Sequence, residues 1–114
     1  MNMRSKCIRL AGVLLMTWGA QGAHAQAVDA AAAQALAKKS GCLKCHSAAA
    51  KKEGPSFKET AAKYKGKPDG EKRLFTHLTT NPKVKVDGNE ELHDNLKTKN
   101  EAEIRNVVKW ILSH

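Results

Sequence analysis

Four stretches of this chain repeat apolar residues at helical spacing, and polar turns separate them. The last stretch has the clearest stripe, with positions i, i+3, i+4 and i+7 occupied by Ile104, Val107, Val108 and Ile111. Asn100, with an acidic residue three positions later at Glu103, is typical of a helix start closed by a capping box. This pattern predicts an amphipathic helix at the end of the chain.

Three shorter helices are predicted upstream, over residues 29–39, 56–64 and 70–80. In the first, Asp29 is a candidate N-cap, and four apolar residues recur at helical spacing: Val28, Ala32, Ala35 and Leu36. In the third, one apolar face is formed by Leu74, Phe75 and Leu78. The expected fold class is therefore all-α, with about four helices.

Residues 81–99 have no helical period and form a long polar stretch. Val84 and Val86 alternate with lysine, and Asp87-Gly88 is a turn signal, so the stretch has room for a small hairpin. Because long loops in compact domains usually carry function, we expect this one to be functional.

Composition changes this picture in one respect. The chain has 114 residues, enough for one domain, but aromatic residues make up only 4% of it. A small domain buries little surface, so this thin supply of large side chains predicts either a marginal fold or a non-protein group at its centre. With 41% hydrophobic residues, global disorder is excluded.

The first 25 residues have the pattern of a signal peptide. Basic residues precede an apolar stretch over residues 10–20, and Ala23-His24-Ala25 is a small-x-small cleavage site. The alternative is an uncleaved anchor, but the apolar stretch is shorter than a membrane-spanning helix. We therefore expect residues 26–114 to be one exported domain, located in the bacterial periplasm, without stable membrane insertion.

The candidate chemistry lies at Cys42-Leu43-Lys44-Cys45-His46, since C-x-x-C-H is the attachment motif of c-type haem. Two thiols three residues apart face the same way and can add to the two vinyl groups of one porphyrin. A plain disulfide, a thioredoxin-like pair and a zinc site are the competing interpretations. The redox pair would need a βαβ setting, and the zinc site would need two further ligands.

Over residues 30–114 the sequence resembles the small bacterial class I cytochromes c. The match is carried by Cys42, Cys45 and His46, by Gly54-Pro55 downstream, and by the final helix. The resemblance implies an all-α class I cytochrome c fold around one covalent haem c, with His46 on the iron. It also implies that the Pro55 carbonyl accepts the N–H of His46, and that the protein transfers electrons and is not an enzyme.

One departure from the family is large, because its usual second iron ligand is a methionine. Every methionine here lies in the predicted leader, at Met1, Met3 and Met16. His93, in the long loop before the last helix, is the favoured replacement. The alternatives are His77, an open or water-bound position, or a lysine; the terminal His114 is expected to be solvated.

These features predict a periplasmic monohaem carrier of one electron, with iron ligated by His46 and His93. The alternatives are a haem protein that binds NO or CO at an open position, or the haem subunit of a larger oxidoreductase. The net charge of +9 points to redox partners with acidic docking surfaces. The lysines expected around the haem edge are Lys44, Lys51, Lys52, Lys58, Lys83, Lys85, Lys97 and Lys99. Nucleic acid is not an expected partner of an exported haem protein.

Overall fold

The computed structural model describes residues 27–114, so the predicted signal peptide over residues 1–25 lies outside the described residues. The elements in chain order are α1 (Ala30–Lys39), a short 3-10 turn (Cys42–Lys44), α2 (Phe57–Tyr64), α3 (Gly70–Thr79), β1 (Lys83–Val86), β2 (Asn89–Leu92) and α4 (Glu101–Leu112). The four predicted helices are confirmed. No helix in the described part is long and apolar enough to cross a membrane.

Side-chain caps begin three of the helices. The Asp29 carboxylate accepts the Ala32 N–H at 3.0 Å, as predicted. Asn100 caps α4, but the Glu103 carboxylate accepts the Thr98 hydroxyl and does not close a capping box. The complete box lies at α2, where the Ser56 hydroxyl accepts the Glu59 N–H and the Glu59 carboxylate accepts the Ser56 N–H.

The core forms around α4, which packs against the other three helices. Its predicted stripe is buried, together with Trp110. Burial of α3 also follows the prediction, with Leu74 and Leu78 inside and Phe75 partly covered. Ser56, the N-cap of α2, is fully buried as well.

The predicted face of α1 is wrong at three of its four residues, because only Leu36 among them packs against the core. Ala33 and Ala37 are buried, whereas Val28, Ala32 and Ala35 are exposed. Alanines lie on every side of this helix, so their periodicity does not select a face. Packing against α4 selects it instead, since Asn106 is joined to the Asp29 backbone by two hydrogen bonds of 2.9 and 2.8 Å.

The hairpin of β1 and β2 occupies the loop in which it was predicted. The strands are antiparallel, with Val84 opposite Glu91 and Val86 opposite Asn89. Asp87 and Gly88 connect them with φ values of 49° and 84°. Both residues therefore adopt the left-handed conformation that a tight two-residue hairpin turn requires. His93 follows directly after β2 and is partly buried, and its N–H donates to the Pro82 carbonyl at 2.8 Å.

Candidate functional site

The two cysteines and His46 lie on one tight turn after α1. Gly41 leaves the helix with a φ of 81°, a conformation that favours glycine, and the 3-10 turn follows. The His46 N–H then donates to the Cys42 carbonyl at 3.0 Å. Both thiols are free and partly buried. The turn therefore presents two sulfur atoms and one imidazole from five consecutive residues.

His46 is held in one tautomer by the segment that follows it. Its Nδ1 lies 2.7 Å from the Pro55 carbonyl oxygen. Because a carbonyl can only accept, Nδ1 carries the proton and donates it, which leaves the Nε2 lone pair for a metal. The ring of Phe57 stacks on the imidazole with centroids 5.7 Å apart. His46 is therefore oriented from both its edge and its face.

Gly54 makes this arrangement possible. A Cβ at position 54 would lie 2.4 Å from Cε1 of His46, far inside van der Waals contact. The Gly54 N–H also donates to the Cys45 carbonyl at 2.8 Å, which ties the segment to the cysteine turn. The absence of a side chain lets the backbone approach the imidazole closely enough for Pro55 to reach Nδ1.

The thiols do not have the electrostatics of a redox-active or zinc-binding pair. Burial raises the pKa of Cys42. A hydrogen bond from Cys45 Sγ to the Glu53 carboxylate, 3.3 Å long, raises the pKa of Cys45. Reactive and metal-binding cysteines need the thiolate, which a lowered pKa favours. Both pKa shifts disfavour the thiolate, which argues against a redox-active pair. Within residues 27–114 no group of three or more His, Cys, Asp or Glu side chains could hold a metal ion, which argues against a zinc site.

His93 faces His46 across the site. Their ring centroids lie 6.1 Å apart, with the planes inclined at 52°. A bond from a metal to an imidazole nitrogen is about 2 Å long, and a ring centre lies about 1 Å behind its nitrogen, so two imidazoles on opposite sides of one metal have centres about 6 Å apart. The observed spacing therefore fits a shared iron, and the donor set fits a haem.

An asparagine clasp, formed by Asn81 and Asn95, places His93. The Asn81 N–H donates to the Asn95 side-chain oxygen at 2.7 Å, and the Asn95 amide donates back to the Asn81 side chain at 2.8 Å. Asn95 also donates to the Thr79 carbonyl at 3.1 Å, and the Asn81 amide donates to the His93 carbonyl at 3.0 Å. The clasp joins the end of α3 to the segment after β2.

His77, on the inner side of α3, is packed against His93 with ring centroids 4.2 Å apart. Burial, together with the neighbouring His93 and His46, lowers the pKa of His77 to about 4. Burial also lowers the pKa of His93. Both imidazoles are therefore neutral at pH 7, the form that can bind a metal or accept a hydrogen bond.

The structure thus brings the predicted site residues together: Cys42, Cys45, His46, Pro55 and His93. Sequence reasoning missed the contact of Glu53 with Cys45, the stacking of Phe57 and the clasp. Only the clasp left a trace in the sequence, as two asparagines flanking a polar loop. His114 is exposed, as expected, but its ring also lies 4.9 Å from that of Trp110 and 5.4 Å from that of Phe57.

The lysines around the site are unevenly distributed. A groove beside Cys45 is lined by four of them, Lys38, Lys39, Lys44 and Lys97, together with the single acid Asp94. We call this the lysine groove. In contrast, Lys83 on the hairpin lies 3.8 Å from the Glu90 carboxylate, which offsets its charge. The positive surface is therefore concentrated next to the cysteine turn and is weaker at the hairpin.

Comparison with known proteins places residues 30–114 on the sequence profile of the family described as cytochrome c. Cytochrome c2 of Rubrivivax gelatinosus is 35% identical over 78 residues, which cover 68% of this chain and 91% of that protein. A 46% identical match with cytochrome c-551 of Allochromatium vinosum is shorter and spans less than half of either chain. Among solved structures, the class 1 cytochrome MtoD of Sideroxydans lithotrophicus ES-1 is 47% identical, with a TM-score of 0.73, over 76% of this chain and 97% of that one.

Proposed function

This chain belongs to the cytochrome c family, and from that premise we propose that it is an exported one-electron carrier whose iron is ligated by His46 and His93. Membership establishes one covalently attached haem c and a role in electron transfer with redox partners, without enzymatic activity.

The spacing of the two imidazoles carries the proposal. His46 and His93 have ring centroids 6.1 Å apart, a distance that suits two nitrogens on opposite sides of one iron. The free thiols of Cys42 and Cys45 lie on the same turn as His46, as double thioether attachment requires. No methionine follows Met16, so His93 takes the place of the family's usual sulfur ligand.

Each residue then has a defined task. Cys42 and Cys45 attach the haem, which supplies a one-electron couple when bound. Pro55 fixes the tautomer of His46 from one side, and the asparagine clasp holds His93 on the other. Two strong ligands exclude small molecules from the iron, which favours electron transfer over gas binding. Histidine in place of methionine also favours a lower reduction potential.

Export is supported by the leader pattern of residues 1–25, with its basic start, short apolar stretch and Ala23-His24-Ala25 site. Covalent attachment would also let an exported domain keep its haem, because a small domain buries too little surface to hold a large cofactor by packing alone. Partner docking is supported by the lysine groove, which lies beside Cys45, one of the two attachment points. Its charge would attract redox proteins with acidic surfaces.

The ligand pair is tested by His93→Ala in the holoprotein. Wild-type protein is expected to be low-spin in both oxidation states, without the near-infrared band of methionine ligation, and not to bind CO. The variant is expected to be high-spin and to bind CO, since one strong ligand is gone. His114→Ala is the control, because His114 contacts Phe57 and Trp110 but not His93.

Two results would contradict the ligand assignment. A low-spin His93→Ala protein that does not bind CO would show that another residue ligates the iron. Wild-type protein that is already high-spin and takes up CO or NO would leave the position open. In the second case a gas-binding or sensing role replaces electron transfer as the proposed function.

A further inference from the structure

One nitrogen at the site has no partner. Nδ1 of His93 is buried, and within the described residues it forms no hydrogen bond. A buried polar atom without a partner is destabilising, and a second ring nitrogen in a ligating histidine normally donates to an acceptor. The corresponding nitrogen of His46 does have an acceptor, since its Nδ1–H donates to the Pro55 carbonyl.

His77 is the side chain packed directly against that ring. The two ring centroids are 4.2 Å apart, with planes inclined at 53°, so the rings are in direct contact. A hydrogen bond between two ring nitrogens places the centroids about 5 Å apart, so the rings must turn and separate by about 1 Å for it to form. His77 lies one turn beyond Leu74 and beside Leu78, both buried, which anchor its helix against the core. The backbone of Asp94 is the competing partner: it lies close enough to the His93 ring to raise the pKa of His93, although it forms no hydrogen bond of normal geometry with Nδ1.

We propose that His77 is the positioning residue of the second iron ligand, accepting the Nδ1–H of His93 on an imidazole lone pair. The inference rests on the proposed function, because it takes His93 as the ligand. Such an acceptor fixes the plane of the ligand ring and makes the ligand more basic. A more basic ligand favours the oxidised iron, so His77 lowers the reduction potential.

The test compares His77→Leu, which removes the acceptor but fills similar space, with His77→Gln, which retains one. Both holoproteins are expected to stay low-spin and not to bind CO. In His77→Leu the oxidation equilibrium is expected to shift about tenfold toward the reduced form, which is about 59 mV for a one-electron couple. Its ferric electron paramagnetic resonance g values are expected to move as the ring reorients.

His77→Gln is expected to restore most of the wild-type potential, which loss of packing alone would not do. His114→Leu is the matched control: His114 contacts Phe57 and Trp110, and its replacement is expected to change the potential and g values far less than His77→Leu does. If His77→Leu is low-spin with wild-type potential and g values, the inference is overturned while His93 remains the ligand. The backbone of Asp94 would then be the acceptor.

Failure of the proposed function has a different signature. If His77→Leu becomes high-spin and binds CO while His93→Ala stays low-spin, His77 itself ligates the iron, and both proposals are overturned. If the potential rises equally in His77→Leu and His77→Gln, the effect comes from burial or packing, and the hydrogen-bond role is overturned alone.

Discussion

At the scale of single residues, Gly54 is the position on which the geometry of His46 depends. A Cβ there would lie 2.4 Å from the imidazole, so Gly54→Ala must move either the ring or the Pro55 segment. Either movement breaks the hydrogen bond that orients the ring. We expect Gly54→Ala to lower the yield of holoprotein and to give a mixed-spin spectrum that binds CO, measured by visible absorption with and without CO.

Gly66→Ala is the matched control for that substitution. Gly66 has a φ of 77°, but a Cβ there would meet no atom within 4 Å. The left-handed backbone alone costs about 1 kcal/mol with an alanine, so stability is expected to fall while the spectrum stays that of wild type. Equal spectra for the two alanine variants would contradict a role for Gly54 at the site.

At the scale of elements, the asparagine clasp connects α3, the hairpin and His93. Asn95→Ala removes three hydrogen bonds, each worth about 1 kcal/mol, so we expect the free energy of unfolding to fall by about 2–3 kcal/mol. The loop that carries His93 should loosen as well. Faster displacement of the ligand by added imidazole or cyanide, followed by stopped-flow absorption, would report this loosening.

Asn89→Ala is the control, since Asn89 is exposed on β2. It is expected to change the free energy of unfolding by no more than about 0.5 kcal/mol and to leave ligand displacement unchanged. Should Asn95→Ala lose stability but keep the wild-type displacement rate, the clasp would stabilise the fold without holding His93 in place.

At the scale of the whole molecule, the distribution of charge gives a prediction about partners. Reversing two charges of the lysine groove, with Lys38→Glu and Lys97→Glu together, is expected to slow association with an acidic redox protein about tenfold at low salt. The difference should shrink as salt rises, because exposed charges are screened over about 8 Å at physiological ionic strength. Stopped-flow electron transfer across a salt series measures both effects.

The control reverses two lysines of a separate groove, with Lys67→Glu and Lys109→Glu together. Because this pair changes the net charge by the same amount, it separates local docking from overall attraction. A much smaller loss of rate is expected. If both pairs slow association equally, net charge alone attracts the partner and the lysine groove has no special role.

Features that depend on neighbouring residues were predictable before the fold was known. C-x-x-C-H identified the haem because its chemistry lies within five residues of chain. The stripe of α4 and the Asp87-Gly88 turn were also predictable, since one follows from helical period and the other from backbone conformations that few residues adopt. The family resemblance implied the hydrogen bond between Pro55 and His46, but not the close approach that excludes a Cβ at Gly54.

Contacts between distant segments were not predictable in this way, because they form only when the chain folds. Ala33 and Ala37 face the core because α4 packs there, and a helix rich in alanine has no periodicity from which to predict this. His77 and His93 cannot be told apart by their local sequence. In the folded protein the His93 ring lies opposite His46, and the His77 ring packs against His93. Hydrogen bonds between residues 14 and 16 positions apart set that difference, and such contacts leave no local pattern.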